Sequence, residues 1–381
     1  MTTDRVADWS GRLQLRPGGA LPTIGSTRRE LAPLLARGRP ARQLPELLGT
    51  VFTLCGGAHR VAARHAVAAA LGHPGDDDRP TLQRLLQTDT LREHLRRLWL
   101  DLPGLTPALA RPDAAVLGRP DAPTTAATPA APGAQADRGA ATAARAWVEQ
   151  HVLGRRVTEW LAMWSDDPSS CIERWSSTTA TWPARWLQAV RRLDVGPGQP
   201  GLPLQAHASP HELRRLAAML RREAGFALAP TWRGRTAETG CWTRAADPLG
   251  RAAPAGPAGL TRRLAARIAE VARLVATGGD AWLSQGGLAL DAGEGLGWCE
   301  MARGLLIHWV RLDGEGRVTD CRIVAPTEWN FHPFGPVARA LARLDPDVDD
   351  ARVRLLAGAY DPCVAVTVDR LARQPRERAH A

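Results

Sequence analysis

The chain has 381 residues, of which 44% are hydrophobic, so it can bury a core in one large domain or two smaller ones. Its net charge is +10, from 49 basic and 39 acidic side chains. The basic residues are all arginine and are dispersed along the sequence, whereas a nucleic-acid-binding protein more often concentrates them on one face. We therefore expect no nucleic-acid partner.

The sequence carries no sign of membrane insertion or export. No apolar run reaches the ~18 residues that a membrane span requires. The first residues show neither a basic segment followed by an apolar one nor a twin-arginine signal, so we expect a cytoplasmic protein. The six cysteines are widely spaced and form no CxxC pair, which argues against a secreted disulfide scaffold and against a zinc finger.

The hydrophobic pattern predicts a mainly α protein of the α+β class. Residues 12–16 alternate like a strand, and the runs 305–312 and 318–324 flank a glycine-rich turn, which predicts a small β hairpin. Alanine-rich or amphipathic runs predict helices at 60–71, 82–100, 144–164, 209–223, 261–276, 336–344 and 349–357. Five tryptophans between residues 160 and 186 either fill the core or form a stacking platform for a ligand, and their helical spacing favours the core.

A change of composition divides the chain. Residues 107–142 are rich in alanine, proline, threonine and glycine and poor in large apolar residues, which predicts a flexible insertion. Residues 1–106 precede it and contain a first cysteine motif. Residues 143–381 follow it with a helical core, the hairpin and a last cysteine motif. We expect the two parts to form one large domain.

Two stretches carry the chemistry of interest. In 54–60, Cys55 precedes two glycines and an alanine-rich helix, so we expect it at a helix N-terminus, where the helix dipole lowers the pKa of a thiol. His59 follows as a nitrogen ligand, a donor to a ligand, or a surface residue. In 358–368, Cys363 follows Asp361 and Pro362. Thiolates bind metals, although a cysteine is often only a small buried side chain.

These stretches resemble the two cysteine motifs of the nickel–iron hydrogenase large subunit, CxxC near the N-terminus and DPCxxC near the C-terminus. Each motif is halved in this chain. Cys55 and Cys363 match the first cysteines, whereas Ala58 and Val366 stand at the second. Asp369 stands where the family usually has the histidine that marks a proteolytic cleavage site. The chain is therefore most similar to the HupK/HoxV group of hydrogenase maturation proteins.

Three further elements match the family in order. Residues 238–240 resemble the start of its ETGPLAR element, 295–308 resemble GxGxxEAPRGxLxH, and 326–330 resemble PTTWN. The resemblance covers nearly the whole chain. It implies a large-subunit-like helical core in which the two ends of the chain meet at a remnant metal site.

The resemblance also implies the function. In the family, the first cysteine of each motif is a terminal nickel ligand and the second bridges nickel to iron. With both bridging positions lost, we expect no nickel and no catalysis, but transient binding of an Fe(CN)2(CO) unit before its transfer to a hydrogenase. The implied site residues are the metal ligands Cys55 and Cys363, and the surrounding residues Arg303, Thr327, Asp361 and His59.

The implied partners are the nickel–iron hydrogenase large-subunit precursor and small assembly chaperones of the HypC/HypD type. Two alternatives stay open. The chain is either a metal-free interaction protein that imitates the large subunit, with both cysteines as core residues, or a degenerate hydrogenase-like redox enzyme that requires nickel.

Overall fold

The structure is a computed structural model that describes residues 11–73, 78–106, 109–125, 134–193, 201–245, 259–279 and 282–370. Its α-helices are α1 Ala32–Ala36, α2 Leu44–Val51, α3 Gly56–Ala70, α4 Arg79–Arg96, α5 Ala134–Val148, α6 Val157–Asp166, α7 Pro168–Thr178, α8 Trp182–Arg192, α9 Pro210–Arg222, α10 Cys241–Ala245, α11 Leu260–Leu274, α12 Pro326–Asn330, α13 Pro336–Leu341 and α14 Asp350–Ala359. Its strands are β1 Arg12–Leu15, β2 Ile24–Ser26, β3 Leu202–Pro203, β4 Ala237–Glu238, β5 Gln285–Ala289, β6 Glu294–Met301, β7 Gly304–Leu312, β8 Val318–Val324 and β9 Ala365–Val368.

Helices dominate the described residues, as the sequence predicts, and the predicted hairpin is present as β7 and β8. The sheet is larger than predicted, because β5 and β6 extend the hairpin to four antiparallel strands in the order β5-β6-β7-β8. Both added strands are rich in glycine, which weakens the hydrophobic alternation by which a strand is recognised in a sequence.

Helix α3 lies across this sheet at very short range. Its alanines are almost fully buried, and it packs mainly against β6. A Cβ atom added at Gly297 would overlap the carbonyl oxygen of Ala62, and one added at Gly295 would overlap that of Ala66. Small residues on both surfaces therefore allow the two backbones to approach, and this contact fixes the position of the helix start next to Cys55.

The two ends of the described chain meet in a second sheet. Strand β1 pairs with β2 in the antiparallel sense and with β9 in the parallel sense, so that Leu13 lies opposite Val366. The backbone N–H of Asp369 continues the ladder by donating to the carbonyl oxygen of Leu15. The meeting of the two ends, which the resemblance implies, is thus present as a strand pair.

The helical part packs around aromatic side chains. The five tryptophans between residues 160 and 186 are all buried, and the rings of Trp160 and Trp175 meet edge to face with centroids 5.8 Å apart. Their indoles belong to the same apolar cluster as helices α4 and α11. The tryptophans therefore fill the core, which decides against a stacking platform.

The segment 107–142 differs from a simple loop where it is described. A short 3-10 turn occupies Ala114–Gly118, and α5 begins at Ala134, ten residues before the predicted helix start. Alanine has the highest helix propensity, so the alanines of 134–142 extend the helix. Residues 107–108 and 126–133 lie outside the described residues. The division of the chain at 107 and 142 stays a prediction.

We predict that Gly297→Ala lowers the free energy of unfolding by about 1–3 kcal/mol, because its methyl group meets helix backbone that cannot rotate away. The matched control is Gly314→Ala in the hairpin turn, where a Cβ atom meets nothing within 4 Å and the stability should stay unchanged. Urea unfolding measures both variants. Equal stability of the two would show that α3 and β6 are not in close contact.

Candidate functional site

Cys55 lies at the start of α3, where the sequence places it. A 3-10 turn, Thr53–Cys55, leads into the helix, and Cys55 is the N-cap residue without a side-chain hydrogen bond to the helix. The expected fall in its pKa is wrong. Burial and then the neighbouring Cys363 raise the pKa of the Cys55 thiol to about 12, and this outweighs the opposing charges of Arg303 and Arg28. The metal-free protein therefore holds Cys55 as a neutral thiol at pH 7.

Cys363 lies in the turn between α14 and β9. Asp361, which has a φ of +51°, ends the helix and directs the chain into this turn. The hydroxyl of Thr327 lies 3.1 Å from the sulfur of Cys363 and also accepts a hydrogen bond from the backbone N–H of Cys363. The guanidinium of Arg28 lies 3.8 Å from the same sulfur. Two donors thus face this thiol, which suits the anionic form that binds metals.

Arg303 connects the two thiols. Its positive charge interacts with the sulfur atoms of both Cys55 and Cys363, and its own pKa is raised above the usual value by Asp361, Glu93 and then the two thiols, which together outweigh the cost of burial. One end of its guanidinium donates to Glu93 at 2.8 Å. Its Nε lies 3.8 Å from Asp361 and is buried without a hydrogen-bond partner among the described residues.

Asp361 is the acidic centre of the site. Its carboxylate lies 3.0 Å from Arg267 and 2.9 Å from Arg97, in addition to the longer contact with Arg303. Burial alone would raise the pKa of this carboxyl group, but the three arginines hold it well below its usual range. Asp361 is therefore ionised, and it compensates the charge of guanidinium groups that have little access to water.

The same network continues through His94. Arg267 lies 3.0 Å from His94 Nδ1, and His94 Nε2 lies 2.8 Å from Glu270. An arginine can only donate, so Nδ1 accepts and Nε2 carries the proton that faces Glu270. Glu270 also binds Arg244 through both carboxylate oxygens.

The nearby thiol of Cys241 makes this group resemble a metal site, because the ligand atoms of His94, Cys241 and Glu270 lie within 4.8 Å of one another. The proton on His94 Nε2 and the two arginines oppose a cation there. Burial and the charge of Glu270 also raise the pKa of Cys241 to about 12, which keeps the thiol neutral. The group is therefore an ion-pair network rather than a metal site.

His59 is buried, and the interpretation as a surface residue is wrong. Its Nδ1 lies 3.0 Å from Nε2 of His308, and its ring stacks on Phe52 with centroids 4.3 Å apart. Burial, His308 and Arg28 lower its pKa well below the usual value, so the ring is neutral. The described contacts join His59 to aromatic and imidazole rings, not to the two thiols. The role of His59 at the site stays a prediction.

The remaining family-like elements surround the site. Thr239 and Asn330 exchange two hydrogen bonds of 2.9 Å, and the hydroxyl of Thr239 accepts a 2.8 Å hydrogen bond from the N–H of Leu305. Glu238 pairs with the buried Arg263 through both oxygens. Hydrogen bonds thus join three elements that are far apart in the sequence, and these elements lie next to Arg303.

Several residues of the site are absent from the sequence prediction. They are charged groups that contact the predicted ones: Arg28, Glu93, Arg97 and Arg267. Three of them lie on the helices α4 and α11 or in the π-helical turn Arg97–Asp101 that continues α4. An arginine inside an amphipathic helix is normally a surface residue, so the sequence offers no signal that would single them out.

The site lacks two of the four cysteines that the family motifs supply. Two thiols face the site, while the bridging positions hold Ala58 and the half-buried Val366. The buried Nε of Arg303 has no hydrogen-bond partner among the described residues, and the hydroxyl of Thr327 donates to the sulfur of Cys363. A guanidinium donor of this kind suits the nitrogen of an iron-bound cyanide.

Known proteins resemble the chain over nearly its whole length. Residues 261–369 match the model of the nickel-dependent hydrogenase family. The hydrogenase expression/formation protein HoxV of Cupriavidus necator is 41% identical over 385 residues, which cover 96% of this chain and 97% of HoxV. HupK of Rhizobium leguminosarum bv. viciae, also named a hydrogenase expression/formation protein, is 34% identical over 352 residues, which cover 87% of this chain and 88% of HupK.

A solved structure shows the same fold. The reduced, active NiFeSe hydrogenase of Desulfomicrobium baculatum superposes with a TM-score of 0.53 at 15% identity, over 92% of this chain and 95% of the hydrogenase chain. The predicted α+β fold of the hydrogenase large-subunit type is confirmed. None of the helices in the described ranges is long and apolar enough to cross a membrane.

We predict that Asp361→Asn lowers the free energy of unfolding by about 3–5 kcal/mol, because it leaves buried arginines without their counter-charge. Asparagine tolerates the left-handed backbone conformation. The decrease in the free energy of unfolding therefore measures the effect of the lost charge and not of backbone strain. Asp101→Asn removes an exposed partner of the same Arg97 and should cost at most about 1 kcal/mol.

The pH dependence of unfolding checks the cause. Because the folded protein lowers the pKa of Asp361, its contribution is complete above the unfolded value of ~3.9 and is lost as the pH falls below it. The difference in the free energy of unfolding between the native protein and Asp361→Asn should be constant from neutral pH down to about pH 4. Below that pH the difference should become smaller. A difference that already becomes smaller at neutral pH would contradict an ionised Asp361.

Proposed function

Because the chain belongs to the family of hydrogenase expression/formation proteins that includes HoxV and HupK, we propose that it is a maturation protein that holds an Fe(CN)2(CO) unit transiently. The unit is its cargo, which it passes to the precursor of a hydrogenase large subunit. The observation that carries the proposal is the retention of Cys55 and Cys363, both close enough to Arg303 to act on its charge, while both bridging positions lack sulfur.

Two thiolates would hold the iron, and their number explains why the binding is temporary. Each family motif supplies two sulfur atoms to a complete centre, and nickel requires soft donors in a fixed geometry. Ala58 and Val366 cannot bridge two metals. The proposed cargo is therefore iron without nickel, and the chain has no catalytic role of its own.

The cyanide groups would be recognised by a buried donor, the Nε of Arg303, which has no hydrogen-bond partner among the described residues. Thr327 would act on the thiolate instead, because its one hydroxyl proton points to the sulfur of Cys363 at 3.1 Å. An unpaired buried donor costs free energy that an acceptor on the cargo would recover. Glu93 and Asp361 hold the guanidinium of Arg303 in place, so it needs no rearrangement to accept the cargo.

The protonation of Cys55 supplies a means of release. Its pKa of about 12 means that iron binding must expel a proton at neutral pH. Return of that proton would compete with the iron, so burial would lower the apparent affinity of Cys55 for iron at neutral pH. A carrier that must give up its cargo benefits from such a ligand.

The proposed setting follows from the same chemistry. All six cysteines are free thiols, which fits a reducing compartment such as the cytoplasm. The proposed partners are the large-subunit precursor that receives the iron and the small assembly chaperones that deliver it. Recognition of both would use the surface that this chain shares with the large-subunit fold.

We predict that the double variant Cys55→Ala/Cys363→Ala retains no iron and does not support hydrogenase maturation. The protein is purified without oxygen from cells that express the maturation machinery. Infrared spectra then report cyanide and carbonyl stretches, and metal analysis counts iron and nickel. The native protein should carry iron with both types of stretch and no nickel.

Cys171→Ala is the matched control, because Cys171 is a buried thiol of helix α7 outside the site and its loss should leave iron and spectra unchanged. Normal maturation with the double variant would refute the proposal and favour a metal-free interaction protein. Nickel bound together with iron in the native protein would favour a redox enzyme instead.

We further predict that Ala58→Cys/Val366→Cys, which restores four thiols, prolongs iron retention and allows nickel to bind. Each single variant serves as the control for the other, because three thiols still leave one bridge open. Dialysis against a chelator measures the half-life of iron in each protein. Equal half-lives in the native protein and the four-cysteine variant would show that missing sulfur does not make the binding transient.

A further inference from the structure

A cavity of about 400 Å³ connects the protein surface with Cys55. Its outer wall contains the exposed residues Thr50, Leu54 and Arg96, and its floor contains the buried residues Ala58 and Ala302. The residues that line the cavity are therefore exposed at its mouth and buried near the thiol of Cys55. Cys363 does not line this cavity, so the two thiols differ in how solutes reach them.

The wall of the cavity favours an anion. Arg60, Arg92 and Arg96 line it, against the two carboxylates of Asp89 and Glu93. Glu93 is already neutralised by the buried Arg303, and Asp89 lies 3.5 Å from Arg92. Arg96 is exposed at the mouth and its charge acts on both carboxylates, so the lining as a whole carries three guanidinium groups against two carboxylates.

Two further groups point to a polar solute rather than an apolar one. The first turn of helix α3 lines the cavity, and its N-cap residue Cys55 offers no side-chain acceptor to the free N–H groups there. Thr90 also lines the cavity and is 2% exposed, yet its hydroxyl makes no hydrogen bond to any residue that the structure describes. The hydroxyl of Thr90 is therefore free to donate to an acceptor on a solute in the cavity.

We propose that this cavity is the passage through which a cyanide-bearing iron anion reaches and leaves Cys55. The proposal rests on the proposed function and names the route that the cargo takes. Arg96 attracts the anion at the mouth, and the helix start and Thr90 replace part of its hydration along the way. Cys55 is thus the first thiol that the iron meets, and Cys363 is the second.

The first test measures access to the two thiols in the metal-free full chain. Iodoacetamide is applied at about pH 9 over hours, because the higher pH raises the thiolate fraction of Cys55, and peptide mass spectrometry follows the alkylation rate of each thiol separately. Thr50→Trp places a large ring at the mouth and should slow alkylation of Cys55 severalfold, while Cys363 keeps its rate as an internal control. Thr50→Ala, which removes the hydroxyl without filling the mouth, should leave both rates unchanged.

The second test measures the preference for a cyanide-bearing anion. Ferrocyanide should protect Cys55 from iodoacetamide more than potassium chloride does at the same ionic strength. Arg96→Glu should raise the ferrocyanide concentration needed for half-protection about tenfold, because it reverses the charge at the mouth. Arg84→Glu, on the same helix but outside the cavity lining, is the matched control.

Each outcome bears on one proposal only. Unchanged Cys55 alkylation in Thr50→Trp, or protection by ferrocyanide no greater than by chloride, would overturn the passage. Neither result would change whether the native protein carries iron, which the infrared spectra decide. Conversely, a native protein without iron would refute the carrier role even if the alkylation rates follow the cavity.

Discussion

The carboxylate of Asp361 is the group on which the rest of the site depends. Arg97, Arg267 and Arg303 come from three different elements, and all three turn toward this one carboxylate. Buried guanidinium groups are tolerated only where counter-charges compensate the lost hydration. Asp361 therefore stabilises the packing of these elements around the thiol turn. Cys363, two residues further on, is positioned by the same requirement.

Much of the fold could be predicted, because most helices and the hairpin are encoded in short sequence patterns and because the family-like motifs follow one another in the family's order. Alanine-rich and amphipathic runs identify most helices, and the glycine-rich turn identifies the hairpin of β7 and β8. In the sequence, the glycines of β6 match a family-like motif and do not show the alternation of a strand. These glycines allow helix α3 to approach the strand closely. Because the helix residues are more than 200 positions away in the sequence, this contact produces no periodic pattern within β6.

The site was predicted only in part, and the reason is electrostatic. Motif matching locates Cys55, Cys363, Arg303 and Thr327, because each lies in a recognisable stretch. The pKa of Cys55 could not be predicted, since it depends on burial and on a thiol from the other end of the chain. His59 turned out to be buried because it packs against His308, which sits on a strand of the sheet. The pKa of Cys55 and the burial of His59 depend on contacts between distant segments, so neither can be read from one segment of the sequence.

The pairing of β1 with β9 has a consequence for the order of events in the cell. Strand β1 is among the first parts of the described chain to leave the ribosome, and β9 is among the last, with 353 positions between Leu13 and Val366 (366 − 13). A contact of this separation forms late, after the intervening helices have found their places. Cys363 cannot take its place before translation reaches this point. Loading of the proposed iron cargo would therefore have to follow synthesis.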